Sequence, residues 1–211
     1  MHLESTPLSQ FERLILSLGE PCFEHELIRS MRHFAAVDHC SLLRFQPGEK
    51  VHLVGSASCP GGRVSPELQA AYVSHFHRHD PNFRIVDRAP RAGLHRLNRL
   101  RASDISSSDY RRCCFDPAQL VDRVSIITAD GNAWYSLNLY RKGRRGGFSN
   151  TELHRLSELE GSLTALTLKH NQLINQTTNL DFMARGVADF EQRLATLGYG
   201  LTNREFPSTV C

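Results

Sequence analysis

Several features that would place a chain in a particular class are missing from this sequence. Its six cysteines form no C-x-x-C pair, and no window reaches the roughly eighteen consecutive apolar residues of a membrane-spanning helix. The N-terminal stretch MHLESTPLSQFERL carries acidic residues and lacks the apolar core of a secretion signal. We therefore expect a reduced, cytoplasmic protein with no membrane partner.

An excess of charge of one sign is missing as well. The 25 Lys and Arg residues against 22 Asp and Glu leave a net charge of +3, which is too small to assign nucleic acid as a partner. Hydrophobic residues make up 40% of the 211 residues and charged residues 22%, as in ordinary folded proteins, which excludes disordered and collagen-like chains. The length predicts one domain with a short appendage.

The sequence contains no G-x-S-x-G, H-E-x-x-H or phosphate-loop pattern. Cys113 and Cys114 could pair with one of the eleven histidines, but no catalytic spacing supports this. His75 and His79 lie one helical turn apart, and no third metal ligand accompanies them, so a solvated helix is the simpler interpretation. We predict that the protein is not an enzyme and has no metal or cofactor.

Apolar residues at helical spacing predict helices at both ends of the chain, and Ser149-Asn150-Thr151-Glu152 fits a capping box. A polar stretch at residues 175–179 separates the last two helices, the second of which ends before Gly198. The predicted helices cover residues 7–18, 23–36, 65–79, about 149–174 and about 180–197.

Alternating apolar and polar residues predict two antiparallel hairpins between the helices, one of them turning at Asp130-Gly131. The four predicted strands cover residues 39–45, 51–58, 122–130 and 133–142. From Asn82 to Pro117 the pattern is irregular, and only a short helix around Ile105–Cys114 is expected. Six arginines between Arg84 and Arg101 indicate either an exposed loop or a site for phosphates or an acidic ligand.

This order of elements predicts an α+β fold. In this arrangement an antiparallel sheet carries the N- and C-terminal helices on one face and a roof segment on the other. GAF and PAS domains are built in this way, with a ligand pocket under the roof.

Alternation along the last strand places Tyr135, Leu137 and Leu139 on the helix side. The opposite set combines an aromatic ring with small polar groups, which suits a small-molecule pocket. The alternative is that these residues, like the aromatic residues of the roof, belong to an ordinary core. The candidate ligand-binding residues are Tyr72, Phe76, Tyr110, Trp134, Ser136 and Asn138.

Three stretches resemble the sensory region of LuxR-family transcription regulators with GAF-like domains. They are DISSSDYRRCCF (Asp104–Phe115), LVDRVSIITADGNAWYSLNLYR (Leu120–Arg141) and GFSNTELHRLSEL (Gly147–Leu159). The spacing Tyr72-x-x-x-Phe76-x-x-x-Asp80-Pro81 is similar to a helix of the same group. The resemblance covers about residues 11–173.

The tail GLTNREF is similar to the LT-x-RE opening of the LuxR-type helix-turn-helix, through Leu201, Thr202, Arg204 and Glu205. The resemblance then breaks off, because Pro207 stands where the first helix would continue. We therefore expect no DNA binding through this motif from this chain alone. A natural truncation, a frameshift and a sequence boundary are all open as explanations.

The resemblance implies a GAF-like sensory domain at residues 1–175, a helical linker at 176–199 and a remnant of the helix-turn-helix at 200–211. It also implies an unknown small-molecule ligand, a homodimer, and control of transcription through DNA binding. Two alternatives are an interaction module that inhibits full-length relatives and a sensor of acyl-homoserine lactones, the latter suggested by the Tyr72 to Pro81 spacing.

Overall fold

The computed structural model describes residues 7–46, 48–60, 64–88 and 96–196. Residues up to Asn171 form one compact unit, and those from Gln172 form a second. The helices are α1 (Pro7–Leu16), α2 (Phe23–Met31), α3 (Pro66–Ala71), α4 (Pro81–Arg88), α5 (Ser108–Cys114) and α6 (Asn150–Thr196). The strands are β1 (His39–Phe45), β2 (His52–Ser58), β3 (Arg96–Arg101), β4 (Leu120–Asp130) and β5 (Ala133–Lys142).

The five strands form one antiparallel sheet in the order β2-β1-β5-β4-β3. Strands β4 and β5 are joined by the predicted tight turn, in which Gly131 has a φ of 56°, a backbone angle that glycine adopts without strain. The fold is the predicted α+β arrangement.

Helices α1, α2 and the first part of α6 cover one face of the sheet. The alternation along β5 is confirmed, since Leu137 and Leu139 pack among these helices whereas Trp134 and Tyr140 pack on the roof side. The helix-side core includes Leu14, Leu27, Met31, Leu156 and Leu163, and the roof-side core includes Leu43, Phe45, Tyr110, Phe115 and Ile127.

The prediction of four strands was wrong because the edge strand β3 was missed. Its sequence RLNRLR has two apolar residues among six, so it carries little strand signal. Two of its polar side chains have partners on other elements: Arg99 forms an ion pair with Asp122, and Asn98 donates to Asn82. The short helix α4 in the same irregular region was missed too.

The roof helix predicted over residues 65–79 changes its winding. After α3 ends at Ala71, the chain makes a π-helical turn from Tyr72 to Phe76 and a 3-10 turn from His77 to His79. Turns of the π type are often found at functional sites.

The prediction of two C-terminal helices separated at residues 175–179 was wrong, because α6 runs through this stretch. The hydroxyl groups of Thr177 and Thr178 donate to the carbonyl oxygens of Leu173 and Ile174, four residues earlier. Polar residues of this kind weaken a helix without breaking it. The capping box that opens α6 is confirmed: the backbone N–H of Ser149 donates to Oε2 of Glu152 at 2.9 Å.

Among the described helices, none combines the length and apolar character needed to cross a lipid bilayer.

Candidate ligand cavity and buried polar network

A buried carboxylate, Asp80, ties the roof to the sheet. It lies between the 3-10 turn and α4, and the Arg123 guanidinium donates to both of its oxygens, at 2.5 and 2.7 Å. The hydroxyl groups of Tyr72 and Tyr110 donate to Oδ2 at 2.8 and 2.9 Å, and the backbone N–H of Asn82 donates to Oδ1 at 2.8 Å. Five hydrogen bonds therefore converge on one carboxylate.

Asp80 and Arg123 are charged in spite of their burial. Burial alone would raise the pKa of Asp80, but Arg123 and the hydrogen bonds outweigh it and hold that pKa below its usual value. Burial alone would lower the pKa of Arg123, and Asp80 raises it well above the ordinary range. The Nε atom of Arg123 has no hydrogen-bond partner within the described residues.

A row of small polar side chains crosses the sheet beneath the roof. The register aligns Ser41 on β1, Asn138 on β5, Ser125 on β4 and Asn98 on β3. Ser125 donates to Oδ1 of Asn138 at 2.7 Å, and Nδ2 of Asn138 donates to Ser41 at 3.3 Å. The first turn of α4 is anchored to this row, because Asn98 donates to Oδ1 of Asn82 at 2.8 Å.

A cavity of about 40 Å³ lies between the roof and the β2, β1 and β5 part of the sheet. Apolar side chains form much of its wall. They include Leu43, Leu53, Val64, Leu68, Phe115 and Leu120, and the polar groups at the wall are His39, Ser41, Gln69, Tyr72, Tyr110 and Tyr140. A water molecule needs roughly 10–15 Å³ by this measure, so the cavity accommodates a few waters in its present form.

The ionisable groups at this wall are neutral at pH 7. Burial lowers the pKa of His39 to about 4, and its Nδ1 lies 2.8 Å from the hydroxyl oxygen of Ser58. Burial raises the pKa of Cys114 to about 12 and raises that of Tyr140 above its usual value. The nearby charges of Asp80 and Arg123 neutralise each other.

The structure brings some of the predicted ligand residues together and separates others. Tyr72 and Tyr110 line the cavity and share Asp80 as a hydrogen-bond acceptor. In the described part of the chain, the cavity wall includes neither Trp134 nor Phe76, which pack in the roof-side core. The cavity lies near the Tyr140 end of β5, so contact between Trp134 and a ligand stays a prediction.

Ser136 and Asn138 belong to the polar network. Nδ2 of Asn82 donates to the Ser136 hydroxyl at 3.2 Å and to Oδ1 of Asn138 at 3.3 Å. Both residues are fully buried and are not among the described residues of the cavity wall, so their part in ligand binding also stays a prediction.

Arg123 was not among the residues predicted for the site. The feature that could have pointed to Arg123 is its position as a charged residue within the predicted strand β4. In the structure, the other residues of this strand are almost all buried. A buried charge requires a partner, and Asp80 was visible only as part of the Asp80-Pro81 pair.

The remaining expectations concern metal binding, the cysteines, the basic loop and the DNA-binding motif. Within the described residues, no three His, Cys, Asp or Glu side chains are arranged to hold a metal ion, and Cys22, Cys40, Cys59, Cys113 and Cys114 are free thiols. Arg99, from the predicted basic loop, lies on β3 and donates to Asp122. The start of the DNA-binding motif, Leu201, Thr202, Arg204 and Glu205, lies outside the described residues.

No protein-family model matches the sequence, and no curated protein matches it either. Solved structures that share the fold include the following two. The LBD (ligand-binding) domain of VqsR from Pseudomonas aeruginosa has a TM-score of 0.63 and 20% identity, covering 79% of this chain and 95% of that one. CepR2 from Burkholderia cenocepacia, an N-acylhomoserine lactone dependent LuxR family transcription factor, has a TM-score of 0.56 and 14% identity, covering 80% of this chain and 94% of that one.

The GAF domain of the cyanobacteriochrome TePixJ has a TM-score of 0.49 and 10% identity, covering 81% of this chain and 98% of that one. The VqsR and CepR2 structures agree with the α+β architecture built above from strand order and core. This chain therefore shares its fold with the VqsR and CepR2 structures.

Proposed function

We propose that the unit ending at Asn171 is a regulatory sensor domain that binds an uncharged, largely apolar small molecule beneath its roof. The observation that carries the proposal is a cavity with an apolar wall next to a buried polar network. Small-molecule sites combine apolar walls with a few convergent polar groups in this way. The fold shared with the VqsR and CepR2 domains supports the same function.

The uncharged character of the ligand follows from the electrostatics of the wall. Arg123 has Asp80 as its counter-ion, and His39 is neutral above its pKa of about 4. An anionic or cationic ligand would therefore lose its hydration without gaining a counter-charge, and an unpaired buried charge is strongly unfavourable. Hydroxyl and amide groups such as those of Tyr72 and Gln69 suit a ligand that carries neutral hydrogen-bonding groups.

A drug-sized ligand needs more room than about 40 Å³, so we propose that the roof moves outward when the ligand enters. The π-helical turn from Tyr72 to Phe76 is the natural place for this change, since a register shift there would carry the Tyr72 side chain with it. The bound ligand would then favour the outward position of the roof over the closed one.

The proposal is tested by thermal unfolding of the full chain in the presence of fractions from a bacterial culture extract. The extract is separated by acid and base partition into neutral, acidic and basic fractions. The neutral fraction should raise the melting temperature, because a ligand that binds only the folded state stabilises it. Stabilisation by the acidic fraction alone would contradict the neutral site.

An acyl-homoserine lactone is the second candidate ligand. It is favoured by the spacing from Tyr72 to Pro81 and by the lactone dependence stated for CepR2. In this chain the Asp80 carboxylate already accepts five hydrogen bonds. A lactone whose amide N–H donates to Asp80 would therefore have to displace one of them. N-hexanoyl homoserine lactone and its ring-opened carboxylate form a matched neutral and anionic pair, and only the lactone should stabilise the protein.

The finer expectations from the sequence belong to the same proposal. We propose that the sensor controls transcription in the cytoplasm as a homodimer, and that DNA is read by a helix-turn-helix module whose opening motif begins at Leu201. The domain division at residues 175 and 199, the absence of catalysis and the alternative of an inhibitory interaction module stay predictions. The raised pKa of the Cys114 thiol, about 12, argues against its use as a nucleophile.

A further inference from the structure

The second unit of the chain contains a helical segment that is exposed on every side. Each residue of α6 from Asn175 to Arg193 is exposed. A water-exposed helix of this length is marginally stable by itself, and this one contains the weak helix formers Thr177, Thr178 and Gly186. The segment therefore needs a packing partner to stay helical.

Four large apolar side chains on this segment share one face. Leu180, Met183, Val187 and Phe190 are 67%, 66%, 57% and 61% exposed and are separated by three, four and three residues. At about 100° per residue they fall within a sector of about 80°. We call these four residues the α6 seam.

The spacing of the α6 seam is that of the a and d positions of a coiled coil, whose repeat of 3.5 residues keeps one face toward a partner helix. The fifth exposed apolar residue, Phe182, is 77% exposed but lies about 120° from the centre of the seam. The charged residues Asp181, Arg185 and Asp189 lie on the side opposite the seam. Only the seam combines apolar character with the coiled-coil repeat.

We propose that the α6 seam pairs with the same seam of a second copy of this chain to form a two-stranded coiled coil. A seam with this repeat is complementary to itself, and the small residues Ala184 and Gly186 beside it permit close approach. The four side chains would bury about 400 Å² per helix, an area typical of a weak, concentration-dependent dimer. Helix formation in this segment is then coupled to association.

This inference rests on the proposed function for the expectation of a homodimer, but its test needs no ligand. Sedimentation equilibrium of the full chain should show a reversible monomer and dimer, and the helical circular dichroism signal at 222 nm should rise with concentration. The double variant Val187→Ala/Phe190→Ala removes half of the seam while raising intrinsic helix propensity. It should weaken dimerisation at least tenfold.

The matched control is Phe182→Ala, which removes the most exposed apolar side chain of the segment outside the seam. It should leave the dimerisation constant unchanged. A monomer at concentrations up to about 100 μM would overturn the proposal. So would a dimer that Val187→Ala/Phe190→Ala leaves intact, or one that Phe182→Ala weakens equally. None of these outcomes bears on ligand binding by the sensor domain.

Discussion

Arg123 on β4 and Asp80 in the roof form a two-pronged ion pair, with N–O distances of 2.5 and 2.7 Å and side chains that are 1% and 0% exposed. The pair joins the sheet to the segment that must move if a ligand enters. Its burial makes it sensitive to the loss of either partner, because a single charge left in the core cannot be solvated.

We expect Arg123→Met to lower the free energy of unfolding by about 3–5 kcal/mol, since it leaves the Asp80 carboxylate buried without a counter-ion. The double variant Asp80→Asn/Arg123→Met removes both charges and should recover most of this loss. Urea unfolding at pH 7 measures both values. A single and a double variant of equal stability would contradict the ion pair described here.

His39 makes the stability depend on pH. Burial lowers its folded pKa to about 4, whereas the unfolded chain binds a proton near pH 6.5. The stabilisation from the neutral ring is therefore fully present above pH 6.5 and falls as the pH drops from there toward 4. We expect this residue to account for a loss of about 2 kcal/mol between pH 7 and pH 5.

The variant His39→Gln should reduce the difference in urea midpoint between pH 7 and pH 5. His154, an exposed residue of α6, provides the control, and His154→Gln should leave that difference unchanged. If His39→Gln retains the full pH dependence, the His39 ring is not held neutral in the way described.

Gly55 on β2 leaves room for the buried side chain of Glu24. A Cβ atom at position 55 would overlap Oε1 of Glu24, a residue that is 6% exposed. We expect Gly55→Ala to destabilise the fold by about 1–3 kcal/mol through overpacking. In the presence of Glu24→Ala the same substitution should have little effect, as a double-mutant cycle would measure.

Gly161 is the matched position, since a Cβ there meets open space on the exposed side of α6. Gly161→Ala should stabilise the protein by roughly 0.5–1 kcal/mol. Equal effects at Gly55 and Gly161 would show that contact with Glu24 is unimportant.

Local patterns predicted the parts of the fold that are set by neighbouring residues. The capping box at Ser149, the turn at Gly131 and the two faces of β5 all follow from spacing along the chain. Strand β3 could not be predicted in this way. Two of its polar residues have partners that are distant in the sequence, Arg99 with Asp122 and Asn98 with Asn82.

The candidate site likewise contains residues that local patterns predicted and residues that depend on distant partners. Tyr72 and Tyr110 were predicted from their place on the roof, whereas the role of Arg123 depends on Asp80, 43 positions away in the sequence. Within the described residues, the wall of the cavity includes Tyr140 and not Trp134, although both residues belong to the roof-side core. Side-chain packing of this kind has no signature in a single sequence.

Native mass spectrometry of the full chain after incubation with an unfractionated bacterial extract tests the cavity most directly. Leu68→Trp fills the cavity from α3, and Ala70→Trp adds the same ring at an exposed position of that helix. We predict a bound neutral molecule in the unchanged protein and in Ala70→Trp, and none in Leu68→Trp. A bound molecule that persists in Leu68→Trp, or its absence from the unchanged protein, would contradict the account.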